Sequence, residues 1–239
     1  MIGPPEKRTV RSGREWLGQT SSNVPASAVA ELVPPRVQLA SLLSPVSFAN
    51  FALRVRNPAL PYRWRVSAFR SCVQLYRPLG FEATLSFLEF QAGRFQRDEA
   101  ALLQALDVIE ASRAAWHAEL HAYATRRQEA KMQGQRSPRA EEPNPNLQAR
   151  WYWYGNPRKA ALHALRFWRR QRFPHLLPST DPVLLEISKC VSEFLDSGAV
   201  FTEAQRDLLG ALVSEIEQRL HSGDLLLVVR HIEVASGLR

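Results

Sequence analysis

Apolar residues recur along this chain at helical rather than alternating spacing, and the clearest run lies in its middle. Over residues 98–133, Leu102, Leu106, Ile109, Arg113, Trp116, Leu120 and Tyr123 alternate steps of four and three. That is a seam of coiled-coil type with one arginine intruding. Asp98 and Glu99 stand at its start, where carboxylates complement the helix dipole. A shorter helix is predicted over about 82–95, carrying Leu85, Phe87, Leu88 and Phe90 before Arg94 and Phe95. The two either fold back as a hairpin or run together. Further on, Asn156-Pro157 joins a capping side chain to proline at the first helical position, which predicts a helix over 157–171. Asp181-Pro182 repeats that signal for 182–197, ended by Gly198. Thr202 and Gln205 form a capping box that opens a helix to His221, with Gly223 past its end. Leu208, Leu209, Leu212, Val213, Ile216 and Leu220 make the apolar face of that helix. The segment DLLLVVRHIEV fits helix or strand, and its neighbours, with Asp224 as cap, favour helix.

Elsewhere the pattern breaks. Pro4, Pro5, Pro25, Pro34, Pro35, Pro45 and Pro58 leave room in residues 1–60 only for short helices over 36–44 and 46–56. An extended basic arm is expected there, whose Leu, Val and Phe side chains need a partner's surface. The stretch QGQRSPRAEEPNPN, 133–146, has linker composition. The expected class is mainly α. An arm (1–60) precedes a central helical region (61–133), a linker with an aromatic run (134–156) and a C-terminal helical module (157–239).

Charge sharpens this division. The chain of 239 residues carries a formal +8, almost all of it from arginine, since lysine occurs only at Lys7, Lys131, Lys159 and Lys189. Residues 41–97 hold eight arginines against two glutamates, and residues 134–180 nine bases against two acids. Residues 181–239 reverse the balance, with five bases and ten acids. Such segregation predicts that different parts of the chain face different surroundings, one of them anionic. Arginine suits phosphate and buried interfaces because its guanidinium is planar, bidentate and weakly hydrated.

Candidate chemistry is sparse. Cys72 and Cys190 make neither a disulfide framework nor a zinc spacing, which fits a reducing compartment. His117 and His121 stand four apart, as zinc ligands do, without a third ligand at a recognisable spacing, and a solvated face accounts for them. Glu141 and Glu142 sit in the linker without a partner. There is no glycine-rich phosphate loop, HExxH or GxSxG. No catalytic residue, metal or cofactor is implied. The uncharged run from Val37 to Leu53 is too short and too polar for a stable membrane span. The first thirty residues, with Lys7, Arg8, Arg11 and Arg14, fit an organelle transit segment or a basic disordered arm equally.

The strongest binding signal is WYWYGNPRKAALHALRFWRRQRFP, residues 151–174. On a helix over 157–171, Ala161, Leu165 and Trp168 share one stripe, with Arg158, Lys159, Arg166, Arg169, Arg170 and Arg172 at its sides and end. The run Trp151 to Tyr154 cannot point inward throughout, so at least two rings face a partner or stack on arginine. RNA phosphate is the leading contact, through those six cations with Trp151 and Tyr152; anionic protein, lipid and plain solvent are the alternatives. Clustered cations imply no base specificity.

The segment from Phe69 to Leu120, with Leu75, Tyr76 and Arg77 and a downstream Phe95, resembles the LYR-motif proteins of mitochondria. The resemblance implies a three-helix fold with the motif near the start of its first helix. It also implies docking of mitochondrial acyl carrier protein and service as an accessory subunit or assembly factor of a respiratory-chain complex. Pro78 and Gly80 depart from it, standing where that helix should continue. Together these observations predict a non-catalytic structural subunit of a large mitochondrial assembly. The leading expectation is a mitoribosomal protein lying on rRNA through its basic segments and on neighbouring proteins through its helices. The LYR-like accessory subunit is the alternative.

Overall fold

A computed structural model describes residues 47–139, 142–176, 181–218 and 223–237, so the expectations for the first 46 residues lie outside the described ones. Among the described residues the protein is mainly helical, with no strand.

Helix α1 (Phe48–Arg56) starts where the Ser47 hydroxyl accepts the Asn50 amide at 3.2 Å. Phe48, Ala52 and Val55 form a buried stripe against α2 (Tyr62–Leu75). This moves the arm boundary: residues 47–60 belong to the folded body. Pro58 and Pro61 occupy the turn between two helices, where missing amide protons cost nothing. Helix α2 itself was not predicted. Its buried face is Arg65, Ala68, Phe69, Cys72 and Val73, a regular helical stripe with an arginine as first member. The Arg65 Nε donates to the Val55 carbonyl and its Nη1 to Glu99 Oε1, each at 2.7 Å. A buried cation is tolerated because it is paired in this way.

Helices α3 (Phe81–Ala92) and α4 (Glu99–Met132) form a hairpin rather than one rod. The chain leaves α3 at Gly93, where φ is 96°, and Phe95 falls in the turn instead of on the helix. Asp98 then caps α4 by accepting the Ala100 amide at 2.9 Å. The predicted seam holds in the first half of α4, where Leu102, Leu106 and Ile109 are buried. Beyond Ser112 the helix is largely solvated, except for Arg127, which bonds Glu142 and the carbonyls of Gln135 and Arg136.

Residues 134–156 are not a free linker. They contain the short α5 (Pro145–Gln148), and Pro145, Trp153 and Tyr154 are buried. Helix α6 (Pro157–Gln171) then forms a shared wall. Ala160 and Ala164 pack on the cluster built by α1–α4, while Ala161, Leu165 and Trp168 pack on a second cluster. That second cluster draws on α7 (Phe173–Leu176), α8 (Pro182–Asp196), α9 (Glu203–Gln218) and α10 (Gly223–Ser236), with α10 lying along α6. The predicted caps are present. Asn156 accepts the Lys159 amide, Asp181 the Val183 amide, and Thr202 and Gln205 cap each other reciprocally. Gly223 opens α10 rather than ending α9, and residues 219–222 lie outside the described ones.

Candidate functional site

The end of α2, the start of α3 and the middle of α4 meet residues 146–151, the end of α6 and the first half of α10 around one groove of about 960 Å³. Its floor is apolar, from Leu79, Ala83, Leu226 and Leu227. Gly80 belongs to this wall for a physical reason: its φ is 81°, and a Cβ there would lie 3.2 Å from Leu227 Cδ2. Arg77, Arg150, Arg172 and Arg230 line the groove against a single carboxylate among the described residues, Glu82. Phe81, Trp151 and Phe167 contribute half-buried rings.

The wall is held by hydrogen bonds that fix its aromatic members. Tyr76 is buried, its hydroxyl 3.0 Å from Ser112 Oγ and its ring stacked on Trp116 at 5.7 Å. Burial pushes that phenol up to about 12, so Tyr76 acts as a neutral post. Trp116 Nε1 donates to the Pro145 carbonyl at 3.0 Å, and the Tyr154 hydroxyl donates to the same oxygen at 3.4 Å. These bonds latch the aromatic run to α4. Trp153 and Tyr154 are consequently interior, Trp153 edge-on to Phe87 at 4.9 Å. Trp151 and Tyr152 remain half-buried, with the Arg230 guanidinium 5.8 Å from the Trp151 ring.

The six cations of residues 158–172 do not form one patch. Arg158 Nε donates to the Ala235 carbonyl at 3.1 Å, and Arg169 pairs with Asp196 at 2.7 Å, so both are turned to the C-terminal helices. Lys159 lies on the α3 side, bonded to Gln91 and 5.5 Å from the Phe90 ring. Arg166 and Arg170 are exposed on that same side beside His163. Arg172, 6.0 Å from the Trp168 ring, reaches the groove. Three further cations escaped the sequence-based selection. Arg63 and Arg70 are exposed on α2, and Arg150 precedes the aromatic run. Arg63 and Arg70 stand seven apart on α2, the signal that marks them, since that spacing returns to one helix face, and Arg77 follows beyond the helix cap at Tyr76. Arg70 lies 5.4 Å over Phe81, a ring of the groove.

Leu75, Tyr76 and Arg77 all line the groove, but the motif closes a helix instead of opening one. Leu75 is the last residue of α2 and Tyr76 its cap, because Pro78 and Gly80 cannot continue the helix. Phe95 is not brought to them. It is fully buried against Phe69, at the far end of α3.

Three buried polar side-chain atoms lack a hydrogen-bond partner among the described residues: Trp168 Nε1 and both nitrogens of His231. Trp168 is a wall of the groove. His231 follows Arg230 and lies beside the Leu79 backbone, both groove residues, and burial pushes its pKa down to about 3. His163 is likewise lowered, to about 4, by burial and then by Arg170 and Arg166. Its Nε2 is 3.0 Å from Ser86 Oγ, but so weak a base activates a hydroxyl poorly, and no carboxylate orients it among the described residues. Burial raises the thiols of Cys72 and Cys190 to about 12 and about 11, which keeps them unreactive. Among the described residues no cluster suits a metal, and no helix is long and apolar enough to cross a membrane. The arrangement can hold anions and stack planar groups. No protein-family model, curated protein or solved structure matches the chain.

Proposed function

We propose that this protein is a non-catalytic structural subunit of a large ribonucleoprotein assembly, of mitoribosomal kind, lying on RNA through unpaired arginines. One observation carries the reading. Arg70, Arg77, Arg150, Arg166, Arg170 and Arg172 are exposed and have no ion pair among the described residues. Arg56, Arg65, Arg126, Arg127 and Arg169 are instead tied to carboxylates. Cations without a carboxylate partner, set beside aromatic rings, suit phosphate and bases. The test is binding of the full chain to unrelated RNAs across a salt series. Replacing Arg70, Arg166 and Arg170 by Gln is expected to weaken all of them by similar factors. Each lost phosphate contact flattens the log–log salt slope by about 0.7–0.9. Negligible affinity at low salt would remove the reading. The mitochondrial compartment rests on the basic, serine-containing first thirty residues, and a reporter fused to them that stays cytosolic would overturn it.

A second reading is favoured by the presence of Leu75, Tyr76 and Arg77 on the groove: a LYR-like accessory subunit that docks acyl carrier protein. It predicts co-purification of the carrier, lost on Arg77→Ala. A native complex without the carrier would exclude it.

A further inference from the structure

The groove differs from the exposed arginines around it in being concave, and that limits what it accepts. A duplex keeps its bases stacked inside and offers only phosphates and groove edges, so it cannot fill an apolar-floored cleft. An unpaired nucleotide brings an aromatic plane and a phosphate together. Resting on the RNA reading above, we infer that the groove holds an unstacked nucleotide of a single RNA strand. Its base lies against the rings of Trp151 and Phe81, and its phosphates meet Arg77, Arg150 and Arg172.

Three observations converge on this assignment. The volume, about 960 Å³, falls at the upper end of small-ligand sites, ~300–1,000 Å³. Arg77, Arg150 and Arg172 are exposed and have no ion pair among the described residues, while Glu82 is the only carboxylate among the described residues of the lining. Trp151 and Phe81 are half-buried in the lining, with the Arg230 guanidinium 5.8 Å from the Trp151 ring and the Arg70 guanidinium 5.4 Å from Phe81, so the base takes the ring faces opposite those cations.

The experiment measures anisotropy of the full chain with a labelled oligouridylate and with an RNA duplex of equal length, at two salt concentrations. The single strand is expected to bind more tightly. Trp151→Ala is expected to weaken the single strand by about five- to 150-fold, the cost of one lost base stack, and the duplex by less than about twofold. Trp151 also packs on Tyr152, so Arg150→Gln, a change at an exposed side chain, provides a second probe. It is expected to flatten the single-strand salt slope by about 0.7 and to leave the duplex slope unchanged. Equal binding of both RNAs, indifferent to Trp151→Ala and Arg150→Gln but weakened by the Arg166→Gln and Arg170→Gln pair, would overturn the groove assignment and leave RNA binding standing. Binding of neither RNA at low salt would overturn both.

Discussion

The two apolar clusters that share α6 treat their buried polar groups differently. In the cluster of α1–α4, the buried polar side chains are satisfied from within. Arg65 bonds Val55 and Glu99, Tyr76 bonds Ser112, and Thr84 accepts the Leu79 amide at 3.3 Å. In the cluster of α6–α10, Trp168 Nε1 has no partner among the described residues, and His231 is fully buried with only the Leu79 backbone beside its ring. An unmatched buried polar group costs about 1–3 kcal/mol. The first cluster is therefore closed on itself. The second carries an unmet polar cost of its own, at Trp168 beside the groove and at the fully buried His231.

The largest effects are expected from two fully buried phenylalanines, one in each cluster. Phe69→Ala and Phe194→Ala each remove a fully buried ring and are expected to cost about 3–5 kcal/mol. Because α6 buries residues in both clusters, each variant is expected to lower the midpoint of one common thermal transition. Calorimetry resolving two transitions, only one of them moved by each variant, would make the clusters separate folding units.

Residues whose local chemistry fixes an element were legible, and residues whose role is set by distant contacts were not. Asn156-Pro157, Asp181-Pro182 and the Thr202–Gln205 box mark helix starts because the cap is a contact within three residues. Helix α2 was obscured because its core stripe begins with Arg65, which pattern reading assigns to solvent. Its burial depends on Val55 and Glu99, ten and 34 residues away. The linker reading of 134–156 failed for a similar reason: proline and asparagine resemble a loop, yet the Pro145 carbonyl anchors Trp116 and Tyr154. Of the candidate cations, the sequence located the charge but not its pairing, so Arg158 and Arg169 were grouped with Arg166 and Arg170. The groove drew on five separated segments, which no local pattern joins.

Acid should act on the unmatched cluster more strongly than on the closed one, which His163 borders through Ser86 and Phe87. His231 has a folded-state pKa depressed to about 3, against about 6.5 in an unfolded chain. The unfolded state thus binds the proton more readily, and stability falls as pH drops below about 6.5 toward the folded value. The slope is about 1.4 kcal/mol per pH unit for one histidine, so roughly 2 kcal/mol is lost between pH 6.5 and 5. His163, lowered to about 4, adds to the same window, less strongly because it is partly exposed. His231→Leu removes both unpartnered nitrogens and is expected to flatten this dependence in urea titrations at pH 5, 6 and 7. An unchanged slope in that variant would mean that His231 is not held neutral in the fold.

A smaller effect tests the wall between the clusters. Asn156 caps α6 with a 3.3 Å bond to the Lys159 amide. Asn156→Ala is expected to cost about 1 kcal/mol, and Asn156→Asp to retain most of the stability. If the alanine variant melts as the parent does, α6 is held by its packing alone.

The smallest effect on stability, and a useful one for the RNA reading, lies at Arg169. It pairs with Asp196 at 2.7 Å, but both side chains are well exposed, so solvent screening leaves the pair about 0–1 kcal/mol. Arg169→Gln is therefore expected to shift the urea midpoint barely at all. Arg170 stands next to it on α6, is exposed, and has no ion pair among the described residues. A cation already facing a carboxylate has less to offer a phosphate, because the carboxylate repels the same anion. Arg170→Gln should flatten the salt dependence of RNA binding by about 0.7–0.9, and Arg169→Gln by clearly less. Equal flattening by the two would show that the ion pair with Asp196 opens when RNA binds. The distinction between paired and unpaired arginines, on which the interface is drawn, would then fail for this helix.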